Sequence, residues 1–196
     1  MLLPDTPLVT EAIALVSRAI ERPIYHHSLR SYGLAAAYAR QQAIAYDEEG
    51  VALAFLFHDL GFYPPYRRPG CAFQVASSLA LHAFLLTHEV AKARLTPLLE
   101  AIEWHLQLWP RWSQGPEVGL LQIGTWMDVT GLRRWQVRPV DQALVSQYPR
   151  QGFYRCFSRC LLGSMTGVRA TLGMLLPGLS RREELEHWPP DRGGTR

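Results

Sequence analysis

The residues best suited to chemistry are the adjacent pair His58 and Asp59, which follow the apolar segment 53–57. A helix that is apolar on all sides belongs in a protein core, so this pair is predicted to be buried. Burying a carboxylate is unfavourable by several kcal/mol unless it is paired with a cation or bound to a metal. The sequence therefore predicts that other polar residues contact this pair.

Candidate partners are polar residues that interrupt otherwise apolar helical stretches. His27, His105 and Asp128 meet this criterion, whereas His26 points about 100° away from His27 on a helix. Taken singly, each has an ordinary explanation as a hydrogen-bonded core histidine or as an aspartate at a helix end. A shared set of imidazoles and carboxylates suits one divalent transition metal (Fe, Mn, Ni, Co or Zn) better than calcium.

Composition indicates one soluble globular domain. The chain has 196 residues, of which 48% are hydrophobic and 19% are charged. The 20 basic residues are scattered and give a net charge of only +3, so no nucleic-acid interface is predicted. Three cysteines without a C-x-x-C spacing argue against a disulfide framework and against a structural zinc site.

Targeting signals are also missing from the sequence as given. The first residues have no basic region followed by an apolar one, and the longest uncharged stretch is too polar to span a membrane. We therefore expect a cytoplasmic protein with a small-molecule substrate and with neither nucleic acid nor membrane as a partner. A homodimer is left open.

Helical spacing and helix caps predict an all-α fold. Residues 1–176 are expected to form a single-domain helical bundle with a motif core at 20–132, followed by a flexible tail at 177–196. The predicted helices are 7–22, 24–42, 48–61, 72–87, one that begins near Thr96-Pro97 and ends at 109–112, one that begins at 116 and ends at 128–131, 140–147 and 153–176.

Four segments on these helices resemble the HD-domain superfamily, and within it the cyanamide hydratase-like branch. They are His27-Ser28-Leu29-Arg30-Ser31-Tyr32, the segment 47–61 with its His58-Asp59 pair, Ala101-Ile102-Glu103-Trp104-His105, and the segment 124–131 that contains Asp128. The resemblance covers residues 5–132. It departs from the branch pattern at His26 and at Ala72-Phe73-Gln74, which leaves the substrate open. Phe62 stands where the HD branch that hydrolyses cyclic dinucleotides has lysine.

The resemblance implies a metal centre and roles for its neighbours. His27, His58, Asp59 and Asp128 would bind one divalent metal. Asp59, His105 and Arg30 would take part in catalysis. The residues expected to contact the substrate are His26, Phe62, Gln74 and Trp104.

Three functions remain open from the sequence. In the first, water activated by the metal adds to a small nitrile-like or amide-like molecule. In the second, it hydrolyses a phosphomonoester, for which only Arg30, Arg67 and Arg68 supply cations near the motifs. In the third, the domain is catalytically inactive and binds a ligand. The aromatic residues near the motifs favour the first.

Overall fold

The computed structural model describes residues 3–165 together with residues 167, 171 and 174. The described part contains eight α-helices and no β-strand, which confirms the predicted all-α fold. None of its helices combines the length and apolarity that crossing a lipid bilayer requires. The helices are α1 (Pro7–Ala19), α2 (Arg22–Gln41), α3 (Glu48–Phe57), α4 (Phe73–Leu86), α5 (Lys92–Trp104), α6 (Pro116–Thr130), α7 (Arg138–Gln147) and α8 (Phe153–Ser164).

Local capping signals explain where the first and third helices begin. The Thr6 hydroxyl accepts a hydrogen bond from Val9 N at 3.2 Å, and Pro7 occupies the first turn of α1. The Asp47 carboxylate accepts a hydrogen bond from Gly50 N at 2.9 Å at the start of α3. These contacts confirm both predicted starts, because the donors that they satisfy have no partner within the helix.

Helix α3 lies at the centre of the bundle and contacts α1, α2, α4, α5 and α6. The prediction that this α-helix continues to Gly61 was wrong. The α-helix ends at Phe57, and a single 3-10 turn (Leu60–Phe62) follows His58 and Asp59. Gly61 packs directly against α4: its N–H donates to Ser77 Oγ at 2.8 Å, and a Cβ would collide with the Phe73 carbonyl. This packing bends the chain immediately after the His-Asp pair.

Other predicted boundaries also differ from the structure, and one of them is the end of α5, which lies at Trp104 and not at 109–112. Helix α5 begins at Lys92 and contains Pro97, so the predicted start at Thr96-Pro97 was wrong. Ion pairs of Arg94 with Asp47 (2.5 Å) and with Glu49 (2.7 Å) hold the additional first turn against α3.

Helix α8 ends at Ser164. The described residues Thr171 and Met174 are helical, whereas the predicted tail at 177–196 lies outside the described residues.

Gly124 of α6 packs tightly against the backbone of α2, and we expect Gly124→Ala to destabilise the protein. A Cβ there would collide with the Ser31 carbonyl and the Phe55 ring. We expect the free energy of unfolding to fall by about 1–3 kcal/mol, as for other overpacked cores, in equilibrium urea denaturation. The control is Gly163→Ala on α8, where a Cβ meets no atom within 4 Å. Equal stabilities of the two variants would contradict the close approach.

Candidate metal centre

Three buried side chains from α2 and from the end of α3 converge on one point. The candidate ligand atoms of His27, His58 and Asp59 all lie within 4.8 Å of one another. His27 Nε2 is 3.3 Å from His58 Nε2, and Asp59 Oδ2 is 3.4 Å from His58 Nε2 and 3.9 Å from His27 Nε2. The structure thus brings three of the four predicted metal ligands together in the core.

Hydrogen bonds decide which nitrogen of each imidazole faces this point. His27 Nδ1 lies 2.7 Å from Asp128 Oδ2, and His58 Nδ1 lies 2.7 Å from the Phe55 carbonyl. Because both partners are acceptors, each Nδ1 carries the proton and each Nε2 presents a lone pair. Two lone pairs that face each other across 3.3 Å repel, and a cation between them removes the repulsion.

The protonation states of the buried groups fit a metal ion. Burial, together with the nearby His27, lowers the pKa of His58 to about 3, so His58 is neutral at physiological pH. Burial raises the pKa of Asp59, whose two carboxylate oxygens have no hydrogen-bond partner among the described residues. A buried carboxylate that lacks donors and faces two imidazole lone pairs is a suitable environment for a divalent cation.

The predicted fourth ligand, Asp128, lies on the other side of His27. Its carboxylate accepts hydrogen bonds from His27 Nδ1 and from the guanidinium groups of Arg30 and Arg150. Burial alone would raise the pKa of Asp128, but hydrogen bonds and charge from His27 and Arg30 outweigh it and hold the pKa well below its usual range. Asp128 is therefore ionised, yet it lies outside the group of three converging ligands.

A cavity of about 480 Å³ opens onto this centre. His27, Asp59 and His105 form its inner end, and its other polar lining residues are Gln107, Thr125 and Thr171. Among the described residues, neither arginine nor lysine lines the cavity. The apolar lining residues are Leu106, Trp126, Val129, Phe157, Leu161, Met165 and Met174.

The two residues predicted to assist catalysis lie in different places. His105 lines the cavity, and its Nε2 lies 4.0 Å from Asp59 Oδ1. Its Nδ1 donates to the Ile102 carbonyl at 2.5 Å, which leaves Nε2 as an acceptor. Arg30 is fully buried and binds Asp128 and the carbonyls of Tyr148 and Pro149, so it acts on Asp128 and does not line the cavity.

The four residues predicted to contact the substrate are not among the described residues that line the cavity. The His26 ring lies 3.4 Å from the Pro149 carbonyl, and Phe62 stacks on Phe73 with 3.8 Å between ring centroids. Gln74 is buried, and Trp104 lies beneath the guanidinium of Arg111. As substrate contacts, these four stay predictions.

The sequence reasoning missed the contributions of α8 and of the loop before it. The Phe153 ring stacks on the His27 imidazole with 4.8 Å between centroids, and Phe157 and Leu161 line the cavity. These three residues recur every four positions, a helical spacing that predicts one apolar face. No sequence pattern identifies Arg150.

The buried imidazole of His105 gives the metal-free protein an acid-sensitive stability. Burial lowers its pKa to about 3, with a further contribution from His58. An unfolded histidine has a pKa near 6.5, so below this pH the unfolded chain binds a proton that the folded protein does not. The free energy of unfolding is therefore highest above about pH 6.5 and falls as the pH drops towards the pKa of the folded protein. Between about pH 7.5 and about pH 5, we expect the free energy of unfolding to fall by about 2 kcal/mol less in His105→Gln than in wild type. The measurement is urea denaturation with chelator at both pH values. An unchanged pH dependence would contradict the neutral buried state.

Residues 24–131, more than half of the chain, match the family model described as HD domain. No curated protein matches the chain significantly. The matched segment contains His27, His58, Asp59, His105 and Asp128, and it ends before Arg150 and α8.

Proposed function

Because the chain belongs to the HD-domain family, whose members are usually metal-dependent hydrolases, we propose that it is a metal-dependent hydrolase or hydratase. Its substrate is a small, uncharged molecule that carries a nitrile-like or amide-like carbon. The observation that carries this proposal is the cavity at the metal centre, which has no cationic lining residue in the described part of the chain.

His27, His58 and Asp59 are the residues that would hold the metal. The chemistry that a divalent metal would supply there is a water-derived nucleophile near neutral pH. His105 presents an unprotonated Nε2 at the same end of the cavity. It accepts the proton that the nucleophile releases and returns a proton to the substrate nitrogen.

The lining of the cavity favours an uncharged substrate over a phosphomonoester. Phosphoryl chemistry relies on several cations that converge on the phosphate oxygens. The donors of Arg30 are used on Asp128 and on two carbonyls, and Arg67 donates to the Gly163 carbonyl. Arg68 does not line the cavity either. The three cations that the sequence offered for a phosphate are therefore directed elsewhere.

The size of the cavity indicates a substrate larger than cyanamide. A volume of about 480 Å³ lies in the range that holds drug-sized ligands, and cyanamide has only three non-hydrogen atoms. Trp126, Phe157 and Leu161 supply apolar walls for the additional part of the substrate. Thr125 also lines the cavity, and its buried hydroxyl has no hydrogen-bond partner within the described residues, so it is our candidate contact for the polar end of the substrate.

The test compares three unbranched compounds that each contain six carbon atoms: hexanenitrile, hexanamide and hexyl phosphate. Protein loaded with Zn²⁺, Mn²⁺ or Fe²⁺ is expected to hydrate the nitrile or to release ammonia from the amide, and chelator should abolish the reaction. Faster hydrolysis of hexyl phosphate would support the phosphohydrolase alternative. A protein that binds hexanamide but turns over none of the three would be an inactive ligand-binding domain.

A further inference from the structure

The carboxylate of Asp128 has no lone pair left for a metal ion. Its Oδ1 accepts hydrogen bonds from Arg30 Nε at 2.8 Å and from Arg150 Nη2 at 2.5 Å. Its Oδ2 accepts hydrogen bonds from Arg30 Nη2 at 2.8 Å and from His27 Nδ1 at 2.7 Å. A carboxylate has about four lone-pair positions, and donors of this chain occupy all of them.

The carboxylate of Asp59 is in the opposite situation. It is equally buried, at 1% exposure, and neither of its oxygens accepts a hydrogen bond from a residue that the structure describes. Its nearest titratable neighbours among the described residues are the imidazoles of His58 at 3.4 Å, His27 at 3.9 Å and His105 at 4.0 Å. All of its lone pairs therefore remain available to a cation.

Charge leads to the same distinction between the two aspartates. Two arginines contact Asp128, and the Arg30 guanidinium does so with two parallel hydrogen bonds, the strongest arrangement for this pair. Its negative charge is thus compensated without a metal. In the described part of the chain neither an arginine nor a lysine pairs with Asp59, so a divalent cation is what compensates its charge.

We therefore propose that the metal centre has three protein ligands, His27, His58 and Asp59, and that Asp128 is a positioning residue that acts through His27. This inference rests on the metal centre of the proposed function and is independent of the substrate. Asp128 holds the Nδ1 proton of His27 and so directs the Nε2 lone pair towards the metal. A carboxylate on Nδ1 also makes the ligating imidazole more basic.

Arg150 makes this arrangement a property of this particular chain. It lies between α7 and α8, outside the residues that match the family model, and its Nη1 also donates to the Asp128 carbonyl at 2.6 Å. The segment after the matched domain thus reaches back and occupies an oxygen of Asp128. With three protein ligands, the metal keeps open positions for water and substrate, as catalytic zinc centres do.

The direct test is a crystal structure of the full chain loaded with Zn²⁺, with anomalous data to locate the zinc. We expect zinc at about 2.0–2.2 Å from His27 Nε2, His58 Nε2 and an Asp59 oxygen, with Asp128 still bound to Arg30. An Asp128 oxygen within the same distance of zinc would overturn the inference and leave the proposed function intact. A three-ligand zinc in a protein that turns over no nitrile or amide would overturn only the proposed substrate.

Zinc affinity in solution, measured by competition with a chelator, gives a second readout. We expect Asp59→Asn to weaken binding by more than roughly 1,000-fold and Asp128→Asn by about 10–100-fold, the range for partners of ligating histidines. Equal losses in both variants would contradict the three-ligand centre.

If Asp128→Asn does not fold, Arg150→Met is the variant that tests the inference. In Arg150→Met the Asp128 carboxylate keeps its hydrogen bonds to Arg30. The Arg150 side chain is 18% exposed, so its removal is less disruptive than that of a fully buried group. We expect Arg150→Met to bind zinc within about 10-fold of wild type. A loss of zinc affinity as large as that of Asp59→Asn would contradict the proposal that Asp128 and its arginine partners do not bind the metal.

Discussion

Replacement of His58 by alanine is expected to remove the metal and the activity together. His58 Nε2 lies 3.3 Å from His27 Nε2 and 3.4 Å from Asp59 Oδ2, so it is the central member of the converging ligands. Without it, one imidazole and one carboxylate remain, which is too few ligands to retain a divalent metal through purification. We expect less than about one-tenth of a metal ion per chain by elemental analysis, and a fall in kcat/KM of at least roughly 1,000-fold.

The matched control for this variant is His88→Ala. His88 lies just after α4, is partly exposed and contacts Glu11 at 3.5 Å, and it does not line the cavity. Its replacement should leave metal content and turnover unchanged. If His58→Ala is folded by circular dichroism and still carries a full complement of metal, the proposed centre is wrong.

The largest expected effect on stability is that of Arg30→Met. The guanidinium of Arg30 is fully buried, and it donates to both oxygens of Asp128 and to the carbonyls of Tyr148 and Pro149. Removal of one member of a buried ion pair leaves the other charge without its partner and lowers stability by about 3–5 kcal/mol. We expect a loss of this size in the free energy of unfolding, measured by equilibrium urea denaturation with chelator.

The control is an arginine-to-methionine substitution at the surface, which measures what this change of residue type costs when no buried ion pair is lost. Arg18 is exposed near the end of α1, and Arg18→Met should change stability by less than about 0.5 kcal/mol. A loss of less than about 1 kcal/mol for Arg30→Met would show that Arg150 and His27 suffice to stabilise the Asp128 carboxylate.

The fold class and the central features of the site were predictable from sequence because they depend on short-range chemistry. Helical spacing of apolar residues identified most of the helices, and the caps at Thr6 and Asp47 located two of their starts. The apolar run before His58 and Asp59 was sufficient to predict that both residues are buried, which the structure confirms. The resemblance to HD domains then indicated which distant residue, His27, joins them.

The boundaries that sequence reasoning placed incorrectly are those that contacts between helices decide. Nothing local to Lys92 predicts that α5 begins there, because the first turn is held by the ion pairs of Arg94 with residues near the start of α3. Similarly, the end of α3 at Phe57 depends on the close packing of Gly61 against α4. Propensity and spacing describe one segment at a time and do not report such contacts.

The sequence by itself determined that acids and imidazoles lie in an apolar helical core, since residue type and period are local properties. Only the tertiary structure decided which lone pairs are free. Asp59 and Asp128 both follow apolar helical stretches, yet one carboxylate has no donor and the other has four hydrogen bonds. The difference comes from Arg30 and Arg150, which lie 98 and 22 residues away from Asp128 along the chain, and only folding brings them to the same carboxylate.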